Sequence, residues 1–236
     1  MLNVVIPMAG AGSRFVEAGY KEPKPFIDVF GKPMIQRVIE NVPGSNYILL
    51  SSADHLKTRG TTLVKDIVKH RKSVIVPVHK LTEGAACTVL MAKDMINNND
   101  GLIIANSDQL VGVDDVGNAV KLFYERGADA GVLVFFNRAI RWSYVGIDDN
   151  GSIKEVAEKR VISDYATCGI YWFRRGRDFV SSAEEMIAKN ERVNNEFYVA
   201  PAINKMILRG QKVLPYFVNE MYGMGTPEDL ERFLGK

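Results

Sequence analysis

Cysteine and histidine are scarce in this sequence, and both are placed where they exclude common metal and redox sites. The two cysteines, Cys87 and Cys168, stand far apart with no second thiol nearby, which excludes a CxxC zinc or redox motif. Unpaired cysteines of this kind are typical of a reducing compartment. The three histidines, His55, His70 and His79, lack the spacing of a zinc-binding helix. We therefore expect a fold that needs neither a disulfide nor a structural metal.

Strong net charge and long apolar runs are also missing. The formal net charge is +2, which is too small to indicate nucleic acid or a membrane surface as the partner. No apolar run reaches the length that a membrane span needs, and the first residues show no basic stretch followed by an apolar one. The sequence therefore predicts a cytoplasmic protein that binds neither nucleic acid nor membrane.

Hydrophobic periodicity indicates an α/β fold. The chain has 236 residues, of which 47% are hydrophobic, enough for one α/β domain. Five short apolar runs alternate with amphipathic helical patterns: LNVVIP, NYILLSS, SVIVPV, GLIIAN and DAGVLVFF. One such helical pattern covers Ala85 to Ile96. This alternation predicts a Rossmann-like, mostly parallel sheet flanked by helices. After residue 136 the pattern changes to strands around the turn DDNG and along YATCGIYWF, which predicts a small β-rich insertion.

The first strand runs into a glycine-rich, basic segment, MAGAGSRFVEAGYKEPKP. A dinucleotide fingerprint and a P-loop are both excluded by spacing, because their last glycine would fall on Phe15 or Glu17. Small residues at 9–13 let backbone amides approach a base and phosphates closely. Arg14 offers a planar fork of donors, and Lys24 stands between two prolines that restrict its backbone. The segment therefore predicts an anion site at the carboxyl end of the first strand.

Motifs along most of the chain, in a constant order, resemble those of the sugar-phosphate nucleotidylyltransferases. They are MAGAGSRF, PKPFI, GKPMI, TEGAACTVLMA, NSDQ, EVAEKR, TCGIYWF and GMGTPEDL. The resemblance implies one nucleotidyltransferase domain over 1–236, with a nucleotide-binding part at 1–136 and an acceptor-binding part at 137–236. It also implies transfer of a nucleotidyl group from an NTP to a phosphorylated acceptor, with Mg²⁺ as the metal.

The resemblance assigns roles to particular residues. Arg14 would hold the leaving phosphates, Lys24 the α-phosphate, Asp108 the magnesium and Lys159 the acceptor phosphate. The nucleotide would be contacted by Met8, Ala9, Gly10, Ala11, Gly12, Ser13, Glu83, Gly84 and Ser107, and the acceptor by Glu158, Lys159, Gly169 and Tyr198. One departure concerns the metal: the aspartate that is usual before the last motif is Gly223 here, and Glu220 is the candidate substitute.

Several alternatives stay open at this point. The acceptor is a sugar phosphate for a surface glycan or capsule, or a non-sugar phosphate used by a cytidylyltransferase. A pyrimidine nucleotide (CTP, UTP or dTTP) is favoured by resemblance. A glycosyltransferase of similar architecture is disfavoured, because no Asp-x-Asp motif follows a strand. A non-catalytic nucleotide-binding homologue is the third reading, supported by Gly223. The resemblance also makes a homo-oligomer an expectation, although no residue indicates an interface.

Overall fold

Strands and helices alternate along the first half of the chain and cluster by type in the second. The structure, a computed structural model, describes residues 1–57, 61–69 and 71–235, so His70 lies outside the described residues. The strands are β1 (Leu2–Met8), β2 (Asp28–Val29), β3 (Lys32–Pro33), β4 (Asn46–Ser52), β5 (Ser73–Val78), β6 (Gly101–Ala105), β7 (Gln109–Val111), β8 (Ala130–Phe136), β9 (Ser143–Ile147), β10 (Ile153–Glu158), β11 (Tyr165–Phe173), β12 (Val213–Phe217) and β13 (Met221–Gly223). The α-helices are α1 (Ser13–Glu17), α2 (Met34–Asn41), α3 (Ala53–His55), α4 (Thr61–Val68), α5 (Ala85–Leu90), α6 (Lys93–Ile96), α7 (Asp115–Glu125), α8 (Gly176–Ala188), α9 (Val199–Leu208) and α10 (Pro227–Leu234).

A nine-stranded sheet forms the centre of the molecule. The strands that the first half of the chain contributes to this sheet are parallel to one another. Strand β1 lies between β4 and β6 and is parallel to both, and β5 extends this half beyond β4. These strands are nearly continuous apolar runs because both of their faces are covered. Val5 and Ile48 pack into the core on one face, and Val4 and Leu49 pack into the core on the other. The predicted Rossmann-like, largely parallel sheet flanked by helices is confirmed.

The second half of the chain extends the sheet with mostly antiparallel strands. Strands β9 and β10 form a hairpin around the predicted DDNG turn, and β8 pairs with β11 and β12. Strand β11 pairs with β6 at its carboxyl-terminal end and with β9 near its start, and its register with β8 shifts between Thr167 and Tyr171. Gly169 lies in this irregular stretch with φ +67. The bend places Gly169 against the carboxyl end of β6, where ligands bind in open α/β sheets.

Short elements differ from the sequence expectation. The helical pattern over 85–96 is split into α5 and α6, and Met95 is 38% exposed rather than buried. Ala92, at the bend between the two helices, is buried, so the apolar face of the pattern continues across the break. The small antiparallel pair β7–β13 was not predicted, because a three-residue strand containing glycine has no alternation of its own. This pair brings the segment around residue 223 beside Asp108.

Within the part of the chain that the structure describes, no helix combines the length and the apolar character needed to span a membrane.

Candidate active site

A cleft of about 420 Å³ opens where β1, β5 and β6 end. The glycine-rich loop after β1 forms one wall, and the segment before α5 faces it. Gly12 has φ +63, and a side chain there would meet the Cβ of Lys24 at 3.3 Å, whereas Gly10 borders open space. The lining residues are Pro7, Met8, Ala9, Gly10, Ala11, Gly12, Ser13, Lys24, Pro25, Leu81, Thr82, Gly84, Ala85, Thr88, Asn106, Ser107, Asp108 and Glu196.

A second cleft of about 480 Å³ adjoins the first. It is built from the turn after β6, from β9, β10 and β11, and from the segments before α9 and α10. The lining residues are Arg14, Lys24, Ala85, Asn106, Asp108, Gln109, Arg141, Trp142, Ser143, Glu158, Lys159, Thr167, Gly169, Tyr171, Glu196, Tyr198, Val199, Ala200, Gly225, Thr226 and Asp229. We call the first cleft the nucleotide cleft and the second the acceptor cleft, after the sequence expectation. Both contain Lys24 and Asp108.

Lys24 and Asp108 form an ion pair at the boundary between the two clefts. Lys24 opens a 3-10 turn, Lys24–Phe26, that follows the extended backbone of Pro23. Its Nζ also lies 3.5 Å from the carbonyl oxygen of Gly225. Asp108 occupies the turn between β6 and β7, where its carbonyl accepts a 2.8 Å hydrogen bond from the amide of Met224. The structure therefore brings together two of the residues that the sequence singled out, one from the segment after β1 and one from the turn after the neighbouring strand β6.

Lys159 lies in the acceptor cleft and has an unusual backbone. Its φ is +51, in the left-handed region that a lysine rarely adopts, and its amide donates to the carbonyl of Trp142 at 3.0 Å. Its Nζ donates to the hydroxyl of Tyr198. Strain of this kind persists where surrounding contacts impose it, and it is concentrated at functional sites. The predicted residues Lys159 and Tyr198 are thus neighbours.

Glu158 brings a partly buried carboxylate into the acceptor cleft. Burial raises the pKa of Glu158, while a hydrogen bond from the Ser143 hydroxyl and the charge of Lys159 oppose that rise. The nearby carboxylate of Glu196 adds to the rise. Glu196 lines both clefts and follows a tight turn at Asn194 and Asn195, whose φ values are +48 and +64. Two carboxylates therefore face the acceptor cleft close enough to influence each other.

Arg14 lies on α1 and lines the acceptor cleft, although the sequence placed it with the nucleotide phosphates. It faces the first turn of α10, which begins at the capping residue Thr226. The pKa of Glu228 in that turn is lowered by hydrogen bonds from its own amide and from Thr226, and further by the charge of Arg14. Arg14 is therefore an exposed cation on the wall of the acceptor cleft, beside the start of α10.

The structure places Gly84 and Glu83 in different surroundings, although they are neighbours in the chain. Gly84 lines the nucleotide cleft with φ +127, and a Cβ there would come within 2.5 Å of the carbonyl oxygen of Phe197. Glu83 does not line either cleft in the described part of the chain. Its exposed carboxylate instead accepts a hydrogen bond from Arg192 at 2.8 Å. The pairing with Arg192 explains why Glu83 is turned away, since the two side chains meet at the surface.

Glu220, the candidate second metal ligand, lines neither cleft, so its place as a ligand stays a prediction. Glu220 is exposed, and its hydrogen bond with Tyr222 raises the pKa of that hydroxyl. A side chain at Gly223 would meet the Trp142 ring at 3.2 Å, whereas the position that faces the Asp108 carboxylate, at 3.3 Å, is Gly225. The described residues contain no group of three or more His, Cys, Asp or Glu suited to a metal.

The donor set nevertheless fits one kind of metal. Magnesium is commonly bound by one or two carboxylates together with substrate phosphates and water. Asp108, one carboxylate at the edge of both clefts, matches that arrangement and does not match an all-protein metal cage.

Sequence reasoning missed several residues that line the acceptor cleft. Asn106 and Gln109 flank the predicted Ser107 and Asp108 in the motif NSDQ, so their polar character after a buried strand was an available signal. Arg141 had no such signal: it reaches the cleft by pairing with the buried Asp229 at 2.7 Å, across a separation of 88 residues.

Comparisons with known proteins point in one direction. A family model described as nucleotidyl transferase matches residues 3–233. Bifunctional protein GlmU of Methanocaldococcus jannaschii is 27% identical over 176 residues, which are 73% of this chain and 40% of that protein. The chain thus spans well under two thirds of that relative.

Two solved structures share the fold. A nucleoside-diphosphate-sugar pyrophosphorylase from Vibrio cholerae RC9 has a TM-score of 0.84 and 24% identity, covering 99% of this chain and 100% of that one. A UDP-glucose pyrophosphorylase complexed with UDP-glucose has a TM-score of 0.81 and 18% identity, covering 100% of this chain and 97% of that one.

Proposed function

This chain belongs to the nucleotidyl transferase family and is a nucleotidyltransferase, and we propose that it joins an NTP to a phosphorylated small molecule with release of pyrophosphate. The observation that carries the proposal is the Lys24–Asp108 pair at the boundary of two adjoining clefts. A nucleotide in one cleft and an acceptor in the other would meet at these two side chains. The two solved structures that share the fold are named as pyrophosphorylases, which supports the same reaction class.

The proposed reaction needs charge neutralisation more than proton transfer. An oxygen of the acceptor phosphate attacks the α-phosphorus of the NTP, the bond from that phosphorus to the bridging oxygen breaks, and pyrophosphate leaves with the electron pair. The attacking phosphate is already anionic, so a general base is not required. Catalysis then depends on positioning two anions and stabilising the charge that develops between them.

The chain's own residues supply that stabilisation in our proposal. Lys24 neutralises the α-phosphate, Lys159 holds the acceptor phosphate, and Arg14 binds phosphate oxygens where the clefts adjoin. The backbone of the loop 9–13 approaches the nucleotide closely because its side chains are small or absent. Asp108 would hold magnesium together with the phosphates, and the ion, when bound, would supply further neutralisation of their charge.

A sugar phosphate is our leading acceptor, because the two structures that share the fold are named as nucleotide-sugar pyrophosphorylases. Glu158, Glu196 and Ser143 could accept hydrogen bonds from sugar hydroxyls. The same two carboxylates favour a second candidate, a non-sugar phosphate that carries an ammonium group, used by a cytidylyltransferase. Like charges placed close together are stabilised by a ligand cation. A pyrimidine nucleotide, a cytoplasmic location and a role in surface-glycan synthesis remain parts of the proposal.

The first experiment measures pyrophosphate release. Purified protein with Mg²⁺ would be given CTP, UTP, dTTP, GTP or ATP, each with glucose 1-phosphate, other sugar phosphates, phosphocholine or phosphoethanolamine. Release that needs both one nucleotide and one acceptor would support the proposal and identify both substrates. Nucleotide binding without release across the whole panel would favour a non-catalytic homologue.

Lys24→Ala tests the assignment of the central cation. We expect turnover to fall at least roughly 100-fold, the size of losing one preorganised transition-state donor. The matched control is Lys32→Ala, because Lys32 pairs with Glu40 at 2.8 Å on the surface. Near-normal turnover of Lys24→Ala would contradict the assignment.

A further inference from the structure

Gln109 is a buried amide on the wall of the acceptor cleft that no proposed role yet uses. It is 7% exposed, although glutamine is usually at the surface. Its Oε1 accepts a hydrogen bond of 3.1 Å from the side-chain Nδ2 of Asn106. Within the described residues no partner is found for the Nε2 group, and Gln109 lines the acceptor cleft. The Nε2 group is not among the fully buried unpaired atoms, so it opens onto the cleft, where its two donors can hydrogen-bond a ligand or water.

The surrounding backbone is shaped to hold this amide. A side chain at Gly169 would overlap both Gln109 Oε1 and Asn106 Nδ2, so the missing Cβ makes room for the pair. The carbonyl of Gly169 also accepts a 2.8 Å hydrogen bond from the amide of Asn106. On the other side, Gln109 pairs in register with Gly223. The absence of a side chain at Gly169 therefore accommodates the two amides, and the predicted close approach of the acceptor to the Gly169 backbone stays a prediction.

We propose that Gln109 recognises the acceptor by donating hydrogen bonds from Nε2 to an oxygen of the acceptor, a hydroxyl or a carbonyl, next to the phosphate held by Lys159. This inference rests on the proposed function, since it deepens the acceptor site of that reaction. Asn106 is a positioning residue in this arrangement: by occupying Oε1, it fixes which end of the Gln109 amide faces the cleft. Sites that hydrogen-bond a substrate oxygen discriminate strongly against analogues that lack it.

Gln109→Glu and Gln109→Met separate recognition from structural support. Glutamate keeps an oxygen for Asn106 and removes both donors, so we expect the KM for the acceptor to rise at least roughly tenfold. The nucleotide Kd should stay within about twofold. Methionine removes the bond to Asn106 as well and should also raise the acceptor KM. Gln211→Glu makes the same charge change outside both clefts, where Arg209 donates to it at 3.3 Å, and should leave the KM unchanged.

A purely structural role would give the opposite pattern. Gln109→Met would then lower kcat and melting temperature with no change in acceptor KM. That result would overturn the proposal. An unchanged acceptor KM in Gln109→Glu would also overturn it, because the acceptor would then sense neither the lost donors nor the added charge. The acceptor used is the one that supports release in the panel, beginning with glucose 1-phosphate.

A binding measurement keeps this test independent of turnover. The sequence has two tryptophans, of which Trp172 is fully buried and Trp142 lines the acceptor cleft. Trp142 fluorescence, measured in a Trp172→Phe background, should therefore report acceptor binding. If the native chain shows no turnover but glucose 1-phosphate still quenches Trp142 fluorescence, the proposed reaction fails. The recognition role of Gln109 then stands only if Gln109→Glu weakens this quenching. If the native chain shows neither pyrophosphate release nor Trp142 quenching with any acceptor, both the proposed reaction and the recognition role of Gln109 are overturned.

Discussion

At the scale of single residues, Glu158 lowers the stability of the fold because its carboxylate is partly buried where it lines the acceptor cleft. Its carboxylate is partly removed from water and has one hydroxyl donor, Ser143, as its hydrogen-bond partner. Burial raises the pKa of Glu158, so the folded chain binds that proton more tightly than the unfolded chain does. Stability from this residue is therefore lost as the pH rises from the unfolded pKa through the folded pKa, and the penalty is complete above it.

Glu158→Gln is expected to remove that penalty. The variant should be more stable than the native chain at pH 7, and the difference should largely vanish at about pH 3, where Glu158 is protonated in both the folded and the unfolded chain. Urea unfolding at the two pH values measures the difference. Glu155→Gln on the same strand is the control, because Glu155 is 46% exposed and paired with Arg160. An equal difference at both pH values would contradict the explanation. Acceptor binding should weaken in Glu158→Gln, as is common where function uses a destabilised group.

At the scale of elements, the start of α5 is held against the segment that leads into α9. The amide of Phe197 donates to the carbonyl of Glu83 at 2.8 Å, and the carbonyl of Phe197 accepts from the amide of Ala86 at 3.0 Å. Gly84 lies between these two bonds in a conformation that other residues rarely adopt. This contact joins a wall of the nucleotide cleft to Tyr198 of the acceptor cleft.

Gly84→Ala should break that contact. We expect a loss of about 2–4 kcal/mol in the free energy of unfolding, from backbone strain combined with overlap against Phe197. Nucleotide affinity should fall with it. Gly127→Ala is the matched control: its φ is +66, but nothing lies within 4 Å of the added Cβ. The control should lose only about 1–2 kcal/mol. Thermal unfolding of both variants measures these losses. Equal losses in the free energy of unfolding would mean that the contact with Phe197 contributes little to the cost at Gly84.

The long elements could be predicted from the sequence and the small ones could not. Strands such as Leu2–Met8 and Gly101–Ala105 are marked by local apolar runs, and these place Asp108 at a strand end. Strand Met221–Gly223 forms only because β7 is there to pair with it, which no local pattern encodes. For the same reason the sequence could not show that Trp142, rather than Asp108, faces position 223.

At the scale of the whole molecule, the two clefts take residues from both halves of the chain. Glu196 reaches the nucleotide cleft, while Arg14 and Lys24 reach the acceptor cleft. The division at residue 136 that the sequence suggested thus remains a proposal about main contributions, since each half completes the other's cleft. A product that combines nucleotide and sugar should occupy both clefts at once.

That expectation gives a test by thermal shift. The NDP-glucose with the active base should raise the melting temperature more than its nucleoside monophosphate or glucose 1-phosphate does at equal concentration, because one molecule gains the contacts of both clefts while losing its translational freedom once. A ligand at 100 times its Kd adds about 2.7 kcal/mol to the free energy of unfolding. Lys159→Ala should remove most of the advantage of NDP-glucose over the monophosphate, whereas Lys154→Ala, exposed on the same hairpin, should preserve it. If NDP-glucose and the monophosphate stabilise the native chain equally, the second cleft does not bind the sugar, and the acceptor of this enzyme belongs to another chemical class.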